Sequence, residues 1–485
     1  ENPKCLTSIL DMEADEATMA SQTPKIPPST RVAVVGCAHG ELDKIYETLV
    51  HIKETKNVSV DLLVCCGDFQ AVRNPNDLAC MACPVKYRKM NTFYKYFKGE
   101  KIAPVLTLYV GGNHEASNYH LELAHGGWVA PNIYYMGFAN VVNFAGLRIG
   151  GISGIYKSNH FRLGHFETLP LDRSSERSCY HVREFEVFRM LQIAKPLDIM
   201  VSHDWPQGIY NWGNTQQLLR RKSFLRDEVA VGSLGNPAHT KLLKVLQPKH
   251  WFSAHLHVKF PALYKHSESK FTKFLALGKC LPSHDFLQIL DIPCSRERNY
   301  SLEYDKEWLA ILRSTNHLLT TERRQVTLPN RHLGDAKGIR YDFRPTAQEL
   351  KEIDDRYSAQ DNPNAYTIPL NFKPTTKPWD EKAHPHSGRS SGYVENPQST
   401  SFFEKLGISD IISDYLAGKH FVCSPVVQMT TGGPQASGEK TEENARNPEE
   451  IEILDSSDDG EKAAGANKQT NGNPEEIEIL DSSDD

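Results

Sequence analysis

The segment Arg31-Val-Ala-Val-Val-Gly-Cys-Ala-His39-Gly40 decides how the rest of the chain reads. A run rich in β-branched residues enters a glycine turn, and Cys37 and His39 follow at once. Alternate positions on an extended segment point the same way, so the thiolate and the imidazole can face one site. Both are metal-ligand types, placed where a strand ends and a loop begins. Taken alone, a C-x-H pair reads more readily as a buried cysteine beside an unrelated histidine.

The same event recurs downstream. Asp61-Leu-Leu-Val-Cys-Cys-Gly67 runs into Asp68, and Ala103-Pro-Val-Leu-Thr-Leu-Tyr-Val110 runs into Gly111-Gly-Asn113-His114-Glu115. Asp198-Ile-Met-Val201 runs into Ser202-His203-Asp204, and Lys249-His-Trp-Phe-Ser-Ala254 runs into His255-Leu-His257. Each is a short apolar run of strand length that ends on a candidate ligand. Open α/β sheets build their sites beyond the carboxyl ends of the strands, so the five termini can converge. Together they offer enough donors for two metal ions.

Gly67-Asp68, Gly112-Asn-His-Glu115, a lone strand-end histidine and a closing His-x-His resemble the calcineurin-like metallophosphoesterases. Two positions depart from that pattern: Cys37 stands where an aspartate is usual, and Ala254 where a glycine precedes the final pair. That cysteine, with Gly40-Glu-Leu-Asp-Lys44, Asn113-His-Glu-Ala-Ser-Asn-Tyr119, Ser153-Gly-Ile-Tyr-Lys157, Ser202-His-Asp-Trp-Pro206 and Phe252-Ser-Ala-His-Leu-His-Val-Lys-Phe260, resembles the RNA lariat debranching enzymes. The likeness is dense from Arg31 to Ile292 and looser to about Ala417.

The resemblance implies an α/β fold in which two mixed β-sheets pack as a sandwich flanked by helices. It implies hydrolysis of the 2′,5′-phosphodiester at the branch point of excised intron lariats by a metal-activated water. One metal would take Cys37, His39, Asp68 and His257, and the other Asp68, Asn113, His203 and His255, with Asp68 bridging. His114 would be the general acid rather than a ligand, and Glu115 would orient its imidazole. A thiolate favours zinc, whereas the oxygen and imidazole set suits iron(II) or manganese. The same resemblance implies contacts with branched RNA at Tyr156, Lys157, His165 and Asn214, and a nuclear location. Two rivals stay open at this point: a phosphatase or nuclease acting on another ester, and a non-catalytic scaffold on the same fold. The crowded company of ligands argues against Cys37 as a covalent nucleophile with His39 as its base.

Around this core the expected organisation is a flexible leader (1–30), a catalytic domain (31–295) with an inserted substrate-recognition loop at about 154–180, a family-specific C-terminal region (296–420) and a disordered acidic tail (421–485). The sequence opens on Glu1, which leaves the true N-terminus open. No stretch has the character of a membrane span or a secretory signal. The ten cysteines are irregularly spaced and fit reduced thiols better than a disulfide framework. Cys80-x-x-Cys83 without a second pair is expected to be metal-free. The chain carries a net charge of −6, but residues 439–485 hold sixteen acidic and four basic side chains. The body is therefore basic, which suits a polyanionic substrate.

Leu42, Ile45, Leu49 and Ile52 have helical spacing and predict a core-packed helix. Between Phe69 and Lys101, basic residues alternate with Tyr87, Phe93, Tyr94, Tyr96 and Phe97, a composition that fits either RNA contact or core aromatics. Arg220, Arg221, Lys222 and Arg226 fit either phosphate contact or a solvated face. Beyond Ile292 a short helix over Glu307–Leu312 interrupts a polar, Pro-containing stretch that predicts sparse packing. In the tail, Asn447–Asp459 returns unchanged as Asn473–Asp485. Each copy has a short β-prone run, Ile451-Glu-Ile453-Leu454 or Ile477-Glu-Ile479-Leu480, followed by acidic residues and serines. The pair resembles tandem binding motifs for the small ubiquitin-like modifier, and it reads equally as a solvated acidic tail.

Overall fold

A computed structural model of the chain describes residues 28–419, apart from 295–297, 361, 381 and 383–391. The tail positions from Ile451 to Leu480 lie outside the described residues. The strands, in chain order, are β1 (Ser29–Val35), β2 (Leu62–Cys65), β3 (Leu106–Tyr109), β4 (Gly127–Ala130), β5 (Ile133–Tyr135), β6 (Ala139–Phe144), β7 (Leu147–Ile152), β8 (Ile199–Ser202), β9 (His250–Ser253), β10 (Phe260–Lys265), β11 (Phe271–Ala276), β12 (Leu287–Pro293) and β13 (Glu303–Tyr304). They form two mixed sheets, in the orders β12-β1-β2-β3-β5-β4 and β10-β11-β9-β8-β7-β6-β13.

Strand alternation explains the layers. Val32, Val34, Leu62, Val64 and Leu108 of the first sheet meet Ile149, Ile199, Val201, Phe252 and Leu275 of the second in one buried core. Ala33, Val35, Leu63 and Cys65 face the other way, against Leu42, Ile45, Leu49 and Ile52 of the helix Leu42–Lys56. On the far side, Met200, Trp251 and Phe274 pack against the helices Pro237–Leu246 and Lys306–Thr315. The result is helices, sheet, sheet, helices. Because β1, β2 and β3 run parallel, as do β8 and β9, the loops bearing Cys37, Asp68, Asn113, His203 and His255 leave the sandwich at one end.

One open alternative closes here, and one sequence-based expectation fails. Phe93, Tyr94, Tyr96 and Phe97 are core residues, at most 3% exposed, so this helix presents no stacking surface to RNA. Helical spacing is the same whether the apolar face turns inward or outward, and packing with Tyr46 and Tyr119 turned it inward. The stretch beyond Ile292 is also well packed. β13 extends the second sheet, and Trp308, Leu309, Ile311 and Leu312 are buried under it. Farther on, the Trp379 amide donates to the Arg73 carbonyl, and Thr375 joins a buried cluster of Arg73, Asp77 and Glu122. Polar composition hid these contacts because they are hydrogen bonds, of backbone and side chain alike, across long sequence separations.

Cys80 and Cys83 are both buried, and neither is in a disulfide among the described residues. Among the described residues no helix is long and apolar enough to cross a membrane.

Candidate metal centre

Asp68 is the hinge of the site. The turn after β2 puts its carboxylate, 1% exposed, between two groups of donors. Oδ2 lies 3.7 Å from His39 Nε2 and 3.8 Å from His114 Nδ1. Oδ1 lies 3.3 Å from His203 Nε2 and accepts from the His114 amide at 2.9 Å. On the first side, donor atoms of Cys37, His39, Asp68 and His257 all lie within 4.8 Å of one another. On the second, His203 Nε2 is 3.2 Å from Asn113 Oδ1 and 3.2 Å from His255 Nδ1. The seven ligands expected from the sequence are thus gathered around one carboxylate.

Backbone geometry makes the close approach possible. A Cβ at Gly112 would sit 2.2 Å from Asp68 Oδ1, and one at Gly67 would sit 2.3 Å from His203 Nδ1. His39, Asp68, His255 and His257 all adopt left-handed φ, between 45° and 64°. Such conformations cost roughly 1–3 kcal/mol each and persist where surrounding structure over-determines them.

The electrostatics suit cation binding. Burial alone would raise the Asp68 carboxyl, yet the imidazoles of His203, His114 and His39 hold it well below the usual range. Burial pushes His39 down to about 4 and His255 down to about 3, so both are neutral, the form that donates a lone pair. His203 Nδ1 donates to the Cys66 carbonyl at 2.8 Å, leaving the Nε2 lone pair toward Asp68 and Asn113. Burial, and then Asp68, raise the Cys37 thiol well above its ordinary value; a bound cation is what would ionise it. His257 Nδ1 is buried with no hydrogen-bond partner. A buried, oxygen-nitrogen-sulfur donor set with an orphaned imidazole nitrogen fits divalent metal.

Comparison with known proteins identifies the family. The calcineurin-like phosphoesterase family matches residues 30–259, and the C-terminal domain of lariat debranching enzymes matches residues 269–411. Lariat debranching enzyme A of Xenopus laevis is 50% identical over 386 residues, which span 79% of this chain and 71% of that one. The lariat debranching enzyme of Gallus gallus is 51% identical over 387 residues (79% and 70%). That of Homo sapiens is 48% identical over 457 residues (91% and 82%). The chain belongs to the lariat debranching enzymes.

In this debranching enzyme the remaining site expectations divide. The His114 ring stands beside His39, with ring centroids 5.5 Å apart, and is a third exposed at the mouth of the centre. Glu115 is placed differently from expectation. Its carboxylate accepts from the amides of Phe69, Gln70 and Gly112, each at 2.8 Å, and has no described contact with the His114 imidazole. It staples the loop after Asp68 to the loop before Asn113. Burial, and then Asp68, push it up to about 8, against three donors that favour the anion.

The expected RNA contacts fare unevenly. His165 is buried, stacked on Phe138 at 4.4 Å and bonded to Glu186 Oε1 at 2.9 Å, so it supports the loop. Lys157 is 3% exposed. Asn214 is exposed, but its side-chain oxygen caps the helix Thr215–Arg221 by accepting from the Gln217 amide at 3.0 Å. Tyr156 is partly exposed; its amide donates to Asp204 Oδ2, and its ring packs on Phe161 at 5.3 Å. The 154–180 stretch is tied down by a buried Glu167–Arg183 pair at 2.6 Å. Polar composition marked the loop as special without separating its outward residues from those that hold it.

Sequence reasoning missed the Cys66 carbonyl that sets the His203 tautomer, and Lys279, whose backbone bridges to Cys37. Neither leaves a motif, because both depend on pairing between distant segments.

Proposed function

We propose that the chain hydrolyses the 2′,5′-phosphodiester at the branch point of lariat RNA, using the centre around Asp68. The observation that carries this reading is the shared carboxylate: one oxygen faces the Cys37–His39–His257 group and the other faces His203. Divalent cations held on its two sides would supply Lewis acidity toward a phosphoryl group and acidify water. Cys37, His39 and His257 would hold the first ion, with Asp68 between the two. Asn113, His203 and His255 would hold the second. The thiolate makes the first side zinc-prone, and the oxygen and imidazole donors of the second suit iron(II) or manganese.

The proton steps belong to the chain. With Nδ1 toward Asp68, His114 carries its Nε2 on the far side of the ring, at the mouth of the site. As water oxygen bonds to phosphorus and the bond from phosphorus to the branch 2′-oxygen breaks, His114 delivers a proton to that departing oxygen. The released strand keeps the phosphate on its 5′ end. Glu115 keeps the two ligand-bearing loops in register, so that Asp68 and Asn113 stay opposed.

The test is elemental analysis of the purified chain together with cleavage of branched RNA, linear RNA and a phosphomonoester. Two metals per chain and selective scission of the branch are expected. Equal turnover of all three substrates would overturn the assignment in favour of a general phosphoesterase. Introns are excised in the nucleus, where this reading places the enzyme. The tail repeats are read as a paired docking motif for the small ubiquitin-like modifier, with two linked copies favouring a modifier chain over a single modifier.

A further inference from the structure

A strip of surface runs away from the Cys37 side of the centre, and no part of the proposed chemistry uses it. At its near end, Arg221 reaches Asp285, whose carbonyl accepts from the Gly278 amide, while the Gly278 carbonyl accepts from the Cys37 amide; the neighbouring Lys222 ammonium stands 6.0 Å over the Phe224 ring, which is 45% exposed. Lys222 ends the helix Thr215–Arg221, whose exposed last residues are Arg220 and Arg221. Arg221 makes an exposed pair with Asp285 at 3.7 Å, a contact of little strength. Seven helical residues span about 10 Å.

At the far end of that helix is a second aromatic feature. Trp212, 41% exposed, packs on Tyr264 at 4.6 Å, and Tyr264 packs on His266 at 4.8 Å. Tyr264 lies on β10, which begins three residues after His257 and forms an edge of the second sheet. Tyr264 lies four residues beyond Phe260 along this strand, about 13 Å. Gly213 pairs with Ala262 of that edge, where a Cβ would meet the Pro261 carbonyl at 2.5 Å. A side chain there would lift Trp212 off the strand, so the glycine seats the indole on Tyr264. Helix and strand thus both lead outward from the centre and meet at the aromatic pair.

Cations at the spacing of a backbone, with exposed rings at intervals, match a single-stranded nucleic acid better than a protein face. We propose that Lys222, Arg221, Arg220, Trp212 and Tyr264 form a track for one single-stranded arm of the branched RNA, leading from the centre to a base-stacking platform. The proposal rests on the reading of the Asp68 cluster as the reaction centre. Phosphates follow the helix end, and a base lies against Trp212.

The test measures binding, without hydrolysis, in the full metal-loaded chain carrying His114→Ala. Two probes share one branch: one has arms that stop at the first nucleotide, the other has long single-stranded arms. The parent should bind the long-armed RNA more tightly. Trp212→Ala or Tyr264→Ala should cut the long-to-short affinity ratio about tenfold to a hundredfold, and Trp212→Phe should restore most of it. Converting Arg220, Arg221 and Lys222 to Gln should make the salt dependence of long-arm binding shallower by about two in slope. An unchanged ratio with an unchanged slope assigns the strip to another partner and overturns the proposal. An equal loss for both probes makes these residues structural supports and overturns it too. If instead the Asp68 centre has been misread, the unsubstituted chain fails to cleave either probe while the length dependence of binding persists.

Discussion

The Nδ1 of His203 donates to the Cys66 carbonyl across 137 positions of sequence, at 2.8 Å, and so decides which nitrogen faces Asp68. The carbonyl lies at the end of β2 and the imidazole at the end of β8, so the two sheets jointly set the tautomer. His203→Gln should therefore cost the second ion while the Cys37 side stays loaded. Cys37→Ser should do the reverse, with zinc falling because a neutral hydroxyl replaces a soft anion. Elemental analysis of the two purified variants checks both. Identical metal content in the two would dissolve the distinction between the sides.

His114 meets the centre at Asp68 and beside the His39 ring, and exposes a third of its side chain. His114→Ala should keep both metals and lose on the order of 10²–10⁴-fold in turnover of branched RNA. A metal-free variant would make His114 a ligand.

Glu115 gives a prediction opposite to the one its motif suggests. Its three amide donors belong to two loops, and Glu115→Gln puts an NH2 group against one of them. The loss should be about 1–3 kcal/mol of stability, together with weaker metal retention, read by chemical denaturation and by metal content. Were Glu115 an orienting partner of the general acid, the variant would instead keep its stability and shift the pH profile of turnover.

Buried histidines set an acid limit. Burial holds His239 down to about 3 in the fold; its Nδ1 faces the Asp204 carbonyl and its Nε2 has no partner. A proton at Nε2 would have no acceptor. His120, stacked on Tyr135, is likewise held at about 3 by burial. The unfolded chain binds these protons first, so the stability is present above pH 6.5 and is lost as the pH falls toward 3. Each histidine should remove about 1.4 kcal/mol per pH unit in that window. Urea denaturation of the metal-free chain should show it, with a shallower slope for His239→Gln. Equal slopes would mean that His239 is protonated in the fold.

What the sequence made legible was local. Each candidate ligand follows its own apolar run directly, and parallel strands deliver all of them to one end. Glu115 was misassigned because its partners, Phe69 and Gln70, lie some 45 positions away and act through backbone atoms, which no motif records. Phe93 to Phe97 stayed open between a binding face and the core because amphipathic spacing does not say which way a helix turns. The region beyond Ile292 looked loose because its anchors, such as Trp379 against Tyr94 at 4.7 Å and Thr375 on Glu122, join segments about 250 to 290 residues apart.

The left-handed backbones at His39, Asp68, His255 and His257 limit which sequences this centre can ever try. Histidine, aspartate and asparagine are the side-chain types that both donate to metals and tolerate such a backbone. Cysteine lacks that preference, so a thiolate written into any of those four positions would add strain to the loop however good a ligand it made. Cys37 is not among them. The exchange of a carboxylate for a thiolate could therefore arise there on ordinary backbone, whereas the same exchange at Asp68 would carry added strain.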